Sequence, residues 1–389
     1  MFKINFGELR LGPAAKTYVE SCLKTNWVTA GPLVKKFESN WGDLFNYQHN
    51  KAVSSGTDAV INLISSVYAF GAQRGDEIIV PALSFIATSN AVLAAGLTPV
   101  FVDVEKETLN IDPSKIEAAI TKKTRAILVV HTMGLPCDME VIKDIATRYD
   151  LLVFEDACEA HGAKYNGEYV GNLSDGAAFS FYTAHLINCG EGGMVSTNNE
   201  VVAKSVGCTR NHGREEGSLY FDHLRVGYNS KMNDLEASIG LEGVAYFWHT
   251  FSKRKKFLRR LMLSLDQYKP YAWFSQEPNG VTVCPHGFSI TLKHGRSIKD
   301  LCNLLDEKGI QWKRNFGCIP TQHKAFEFMG HALGDFPNAE YIGEFGIHLG
   351  VHHYLSTSDV TYIEDTLLEY FETLASSDLS EITTETATS

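Results

Sequence analysis

Beyond the short KRKKFLRR stretch the chain has no run of lysines or arginines that could form a basic stripe, and its 389 residues carry a formal net charge of −11. Holding a phosphate backbone requires clustered cations, so nucleic acid is not an expected partner. Its eight cysteines, at 22, 137, 158, 189, 208, 284, 302 and 318, include no CxxC or CxC pair. This argues against a disulfide framework, a zinc site or another metal site, and an iron–sulfur cluster. No segment approaches the roughly 20 apolar residues that cross a bilayer. The N-terminal MFKINFGELRLGPA also lacks the apolar centre of a signal peptide, so a cytoplasmic protein with no membrane partner is expected. A more local absence matters as much: no lysine occurs from Tyr165 to Ala203.

What is present is a composition that is 44% hydrophobic, enough at this length to fill a large core, usually in two domains. From Arg74 to Glu155 the runs DEIIV, TPVFVDV, RAILVV and LLVFED alternate with helical patterns such as SFIATSNAVLAAG. Nearly continuous apolar strands predict a mostly parallel sheet covered on both faces by helices, with ligands at the strands' carboxyl ends. A long charged helix, FWHTFSKRKKFLRRLMLSLDQY, then introduces short strands (VTVC, GFSITL) and helices near 297–308 and 358–374. The expected division is a large α/β domain over 1–245, a smaller α/β domain over 246–375, and a tail without regular structure over 376–389.

Several residues could carry chemistry. Ser54-Ser55-Gly56-Thr57-Asp58 precedes the helical AVINLISSVYAF, so free amides at a helix start could cradle a phosphate or serve as an ordinary cap. Asp156 ends an apolar strand, and Glu159 lies one helical step further along, which puts two carboxylates near one mouth. Phe85 follows another strand end and could offer a flat face to a ring or simply join the core. Ser180 and His185 flank a strand exit, followed by Gly190, Gly192 and Gly193, which permit a tight backbone excursion. An imidazole there could move a proton near neutral pH or be structural. Asn229 and Lys231 sit in a turn leading to the helix LEASIGLEGV, with an amide and an ammonium available for anions. His212, Arg214, Arg225, Lys313 and Arg314 could meet a diphosphate or a sugar, or be solvated surface groups.

The order and spacing of NWVTAGPLVKKFE, SSGTDA, PALSFIATSNAVLAAGLTPVFVDV, EDACEAHGA, FSFYTAH followed by GEGGMVST, RNHG, GYNSKMNDLEASIG and GDFPNAEYI fit one plan. From residue 26 to about 345 the chain resembles the fold-type I, pyridoxal-phosphate-dependent sugar aminotransferases of the DegT/DnrJ/EryC1/StrS family. The resemblance implies that Gly56, Thr57 and Ser180 hold the cofactor phosphate, that Phe85 stacks on its ring and that Asp156 pairs with the ring nitrogen. It places Glu159 beside the cofactor and sends Asn229 to the cofactor phosphate of a neighbouring subunit, which implies a homodimer with shared active sites. It makes Lys231 a candidate for a substrate phosphate. Arg214 and His212 are further substrate candidates, as is His353 in GIHLGVHHYLS.

At one position the chain departs from that plan. The family places a lysine where this sequence has His185, because an amine must bond covalently to the cofactor and then shuttle a proton. The lysine-free stretch around it rules out a shifted register, and an imidazole can only accept and donate protons. The same substitution marks a subgroup of 3-dehydratases that deoxygenate nucleotide-linked 4-keto-6-deoxyhexoses, working from pyridoxamine or pyridoxal phosphate with an amino donor such as glutamate. Glu159 and the GIHLGVHHYLS segment agree with that subgroup. A related dehydratase type needs a cysteine-bound cluster, but residues 194–230 contain only Cys208, so no iron–sulfur cluster is expected. Two alternatives stay open at this point: a sugar-nucleotide aminotransferase that tolerates histidine, giving a 3- or 4-amino sugar, and a catalytically silent ligand-binding member.

Overall fold

A computed structural model describes residues 2–215, 217–218 and 222–387. Fourteen strands are seen among them. They are β1 (His49–Val53), β2 (Glu77–Pro81), β3 (Thr98–Val102), β4 (Thr124–Val130), β5 (Leu152–Asp156), β6 (Lys164–Tyr165) and β7 (Glu168–Tyr169). There follow β8 (Gly176–Ser180), β9 (Gly193–Thr197), β10 (Ala272–Phe274), β11 (Val281–Thr282), β12 (Gly287–Leu292), β13 (Trp312–Arg314) and β14 (Gly346–Gly350).

The central sheet has the order β1-β9-β8-β5-β4-β2-β3. Pairing is parallel from β8 through β5, β4 and β2 to β3, while β9 runs against both of its neighbours. The apolar runs DEIIV, TPVFVDV, RAILVV and LLVFED supply β2 to β5. Their side chains are buried on both faces: along β4, Ala126 and Leu128 join one core cluster and Ile127 and Val129 the other. This is the period-2 alternation of a strand covered on both sides. On one face Trp41 is fully buried among Phe45, Phe179, Phe181 and His161, and its indole N–H donates to Ser196 Oγ at 2.9 Å.

A second, antiparallel sheet of order β10-β12-β14-β13 has its own core around Phe288, Ile290, Leu301 and Leu367. A three-stranded sheet, β11-β6-β7, joins residues 281–282 to the 164–169 hairpin. On this arrangement we propose two domains dividing near residue 245, with one exchange. Residues 3–6, placed by chain order in the first domain, bond to the second: Lys3 N donates to Gly309 O at 2.9 Å, and Ile4 fills the second core. The final helix runs Thr357–Ala387, whereas a tail was expected from 376. That stretch contains no glycine or proline, so nothing in it breaks the helix begun at Thr357. Thr388 and Ser389 lie outside the described residues.

Candidate active site

Because β1, β8, β5, β4 and β2 are parallel, the residues leaving their carboxyl ends gather at one edge. Ser55 leaves β1 and caps the helix Gly56–Ser65, its side chain accepting from Asp58 N at 3.0 Å. The amides of Gly56 and Thr57 have no partner among the described residues, as expected at a helix start. Ser180 ends β8 opposite them, so close that a Cβ on Gly56 would lie 2.5 Å from Ser180 Cβ. Asp156 ends β5, with its carboxylate accepting from Thr88 Oγ1 at 2.7 Å and Cys158 N at 3.3 Å. Beside it Glu155 anchors the strand end. His131 Nδ1 accepts from Cys137 N, so its Nε2–H donates to Glu155 at 2.7 Å, while Gly171 N and Ser174 Oγ supply the other oxygen.

Phe85, Asp156, Glu159, Ser180, His185, Gly56 and Thr57 all line one cavity of about 550 Å³. Phe85 is 62% exposed, an aromatic face not claimed by the core. His185 is 8% exposed, in the loop between β8 and β9, and its backbone is fastened from behind. The fully buried Arg254 donates Nη1 to Ala184 O and Nη2 to His185 O, each at 3.0 Å. Burial pulls this guanidinium down to about 10. Burial, with His161, Arg254 and Lys313 nearby, also pushes the His185 imidazole well below its ordinary range, so it is neutral. Glu159 behaves oppositely: burial raises its carboxyl to about 7, against the Met133 amide that donates to it at 2.7 Å.

Asn229, Lys231, Arg214, His212 and His353 are not among the residues lining this cavity. Asn229 accepts from Lys231 Nζ at 2.7 Å, and Lys231 lines a separate pocket of about 100 Å³ with Arg210 and Asn211. His353 instead packs on Tyr354 with ring centroids 3.9 Å apart. Lys313 and Arg314 do reach the cavity, together with residues that sequence reasoning missed: Phe6, Thr88, Tyr182, Glu191, His286, His323 and His348. Thr88, one helical turn beyond Phe85, and Tyr182 and Glu191, within the Ser180–Gly193 segment, carried a local signal.

These residues fit pyridoxal phosphate. Free helix-start amides with Ser180 suit a phosphate, Phe85 offers a ring its face, and the buried Asp156 carboxylate suits a protonated pyridine nitrogen. A mostly parallel sheet with such a site at its carboxyl edge defines a pyridoxal-phosphate enzyme of fold type I. The sequence matches the DegT/DnrJ/EryC1/StrS aminotransferase family over residues 10–368, and the chain belongs to that family.

A GDP-perosamine synthase of Caulobacter vibrioides is 33% identical over 365 residues, 92% of this chain and 95% of that protein. A dTDP-4-dehydro-2,6-dideoxy-D-glucose 3-dehydratase of Saccharopolyspora spinosa is 31% identical over 388 residues, 90% of this chain and 83% of that one. Among solved structures, the E. coli GDP-4-keto-6-deoxy-D-mannose-3-dehydratase with bound hydrated PLP superposes with a TM-score of 0.84 at 26% identity. That match covers 94% of this chain and 100% of the other.

Proposed function

We propose that the protein is a 3-dehydratase that removes the C3 oxygen of a nucleotide-linked 4-keto-6-deoxyhexose, using pyridoxal or pyridoxamine phosphate, with His185 as the base. The observation that carries this reading is His185 itself: a buried, neutral imidazole lines the cavity where the family's lysine would stand. In this reading Gly56, Thr57 and Ser180 hold the cofactor phosphate, Phe85 stacks on the ring and Asp156 keeps its nitrogen protonated. The cofactor, when bound, supplies an electron sink for the carbon that loses a proton. His185 Nε2 takes that proton and holds it beside the departing C3 hydroxyl, which leaves as water. Glu159 stands beside this transfer. Lys313 and Arg314, exposed residues that line the cavity, suit a diphosphate, which favours a nucleotide sugar over a free one. Water then releases the 3-deoxy-4-keto sugar and ammonia, and an amino donor such as glutamate restores the amine so lost.

Asn229 and Lys231 do not line their own chain's cavity, which suits a homodimer in which Asn229 completes the neighbour's phosphate site and Lys231, Arg214 and His212 approach substrate there. The reading places the enzyme in the cytoplasm and includes no iron–sulfur cluster. The similarity to GDP-perosamine synthases supports a second reading, amino transfer to the same class of sugar. Incubation with amino donor and a panel of 4-keto-6-deoxy nucleotide sugars separates the two by product mass. Loss of the C3 oxygen without retained nitrogen supports dehydration; a product that keeps the nitrogen overturns it.

A further inference from the structure

A strained turn ties three buried groups together behind His185. Met133 and Gly134 both adopt left-handed backbone, at φ 55° and 78°. For Met133 this is an uncommon conformation of the kind that clusters at functional sites. The turn aims Met133 N at Glu159 Oε2 and lets Gly134 O accept from Cys284 N at 2.9 Å. A Cβ at 134 would meet Cys284 O at 2.2 Å, so the approach requires glycine. The chain then turns, His286 N donating to Cys284 O at 2.8 Å, and delivers the His286 ring into the cavity wall. His286 Nε2 lies 3.3 Å from Glu159 Oε1, and its ring centroid lies 5.1 Å from that of His185.

The Nδ1 atoms of both His185 and His286 are buried without a partner among the described residues. Neither can stay so without the desolvation cost of an unmet polar group. Two imidazoles joined by an N–H···N bond of about 2.9 Å have centroids about 5 Å apart, the separation that these two rings have. We propose that His286 is a positioning residue that sets the tautomer of His185. Glu159 accepts from His286 Nε2–H, which leaves His286 Nδ1 to accept from His185 Nδ1–H, and the bare lone pair of His185 Nε2 then faces the cavity. A neutral histidine has one proton and two nitrogens, so the partner of one nitrogen decides the chemistry of the other.

The inference rests on His185 being the base, but not on which reaction that base serves. His161 is the competing partner. Its ring lies 5.7 Å from His185, and its Nδ1 accepts from Ile187 N at 3.5 Å, leaving Nε2–H as a donor. A bond from that donor would give His185 the opposite tautomer. Burial drives His161, His185 and His286 alike toward the neutral form. The arrangement therefore differs only in where each proton sits.

The test is ¹⁵N NMR of the histidine-labelled holoenzyme, with His185 assigned by its loss in His185→Asn. Nitrogen shifts showing His185 as Nδ1–H support the relay; the Nε2–H form overturns it, whatever product the enzyme makes. In Glu159→Gln the Met133 amide holds the side-chain oxygen, the amide NH₂ donates to His286, and His185 reverts to Nε2–H. Turnover should fall with it by about 10²–10⁴-fold, the share a general base supplies. His286→Phe should fall equally. His286→Asn, which can donate to Glu159 and accept from His185, should stay within about tenfold of wild type. Unchanged turnover in His286→Phe overturns the proposal, and should that variant fail to fold, the wild-type tautomer still decides.

Discussion

Substituting Gly193 by alanine tests whether backbone closeness shapes the phosphate cradle. A Cβ at 193 would lie 2.2 Å from Ser55 O and 3.0 Å from Gly56 N. Carbon–oxygen contacts settle at about 3.3–3.6 Å, so the gap must open by about 1 Å. Both opposing atoms are backbone and cannot rotate away. β9 cannot yield either, since Gly193 is paired with Val53 of β1 on one side and Ser180 of β8 on the other. The displacement therefore falls on the start of the helix Gly56–Ser65, which carries the free amides. At Gly56 the opposing atoms are side-chain ones, Ser180 Cβ at 2.5 Å and Oγ at 2.8 Å, with Cys158 Sγ at 3.2 Å.

Overpacking of this kind costs about 1–3 kcal/mol. Gly56→Ala should fall within that range and Gly193→Ala at or above its upper end. A hydrogen bond to a charged group contributes about 1.5–3 kcal/mol, so losing one amide from the phosphate weakens cofactor binding by about 10- to 100-fold. Urea unfolding and absorbance titration with pyridoxal phosphate read the two effects separately. Ser180→Gly should relieve much of the Gly56→Ala penalty and none of that of Gly193→Ala, a coupling visible in a double-mutant cycle. Wild-type stability and affinity in Gly193→Ala would show that the contact with Ser55 O does not constrain the helix start.

Two further perturbations probe single side chains. Phe85→Ala should leave stability within about 0.5 kcal/mol, because the ring is exposed, yet weaken pyridoxal phosphate binding by about 2- to 10-fold through lost stacking; an unchanged titration would show that Phe85 does not meet the ring. The Glu159 carboxyl, raised from 4.5 to about 7 in the fold, stabilises the folded state fully below pH 4.5 and loses that contribution as pH rises through 7. The shift is worth at most about 3 kcal/mol. Glu159→Gln should therefore lack the part of the stability decline between pH 5 and 8 that wild type shows in urea, and identical declines would contradict the assignment.

Much of the cofactor side of the site was readable because its signals are local. β2 to β5 are continuous apolar runs, Ser54 to Asp58 is a helix start, and Asp156 ends a strand, so each residue's placement follows from its immediate neighbours. The opposite wall was not readable. Phe6, His286, His323 and His348 arrive from segments far from His185 in sequence, and only the packing of the second sheet brings them near. Arg254 was hidden for another reason: within FSKRKKFLRR it reads as one more surface cation, yet it is the member of that run that turns inward to the Ala184 and His185 carbonyls. Asn229 and Lys231 were legible as a turn with anion-binding groups. Their distance from the cavity was not, because a turn's sequence does not say what it packs beside.

We propose His185 as an unlinked base at the position where the family resemblance implies a covalent lysine. Borohydride reduction of the pyridoxal-phosphate-loaded protein, followed by peptide mass mapping, tests it most directly. Wild type should give no pyridoxyl adduct on Lys313, the one lysine that lines the cavity among the described residues, whereas His185→Lys should give an adduct at residue 185. A stoichiometric adduct on Lys313 of the wild-type protein would contradict it, since the cofactor would then be anchored from the second domain.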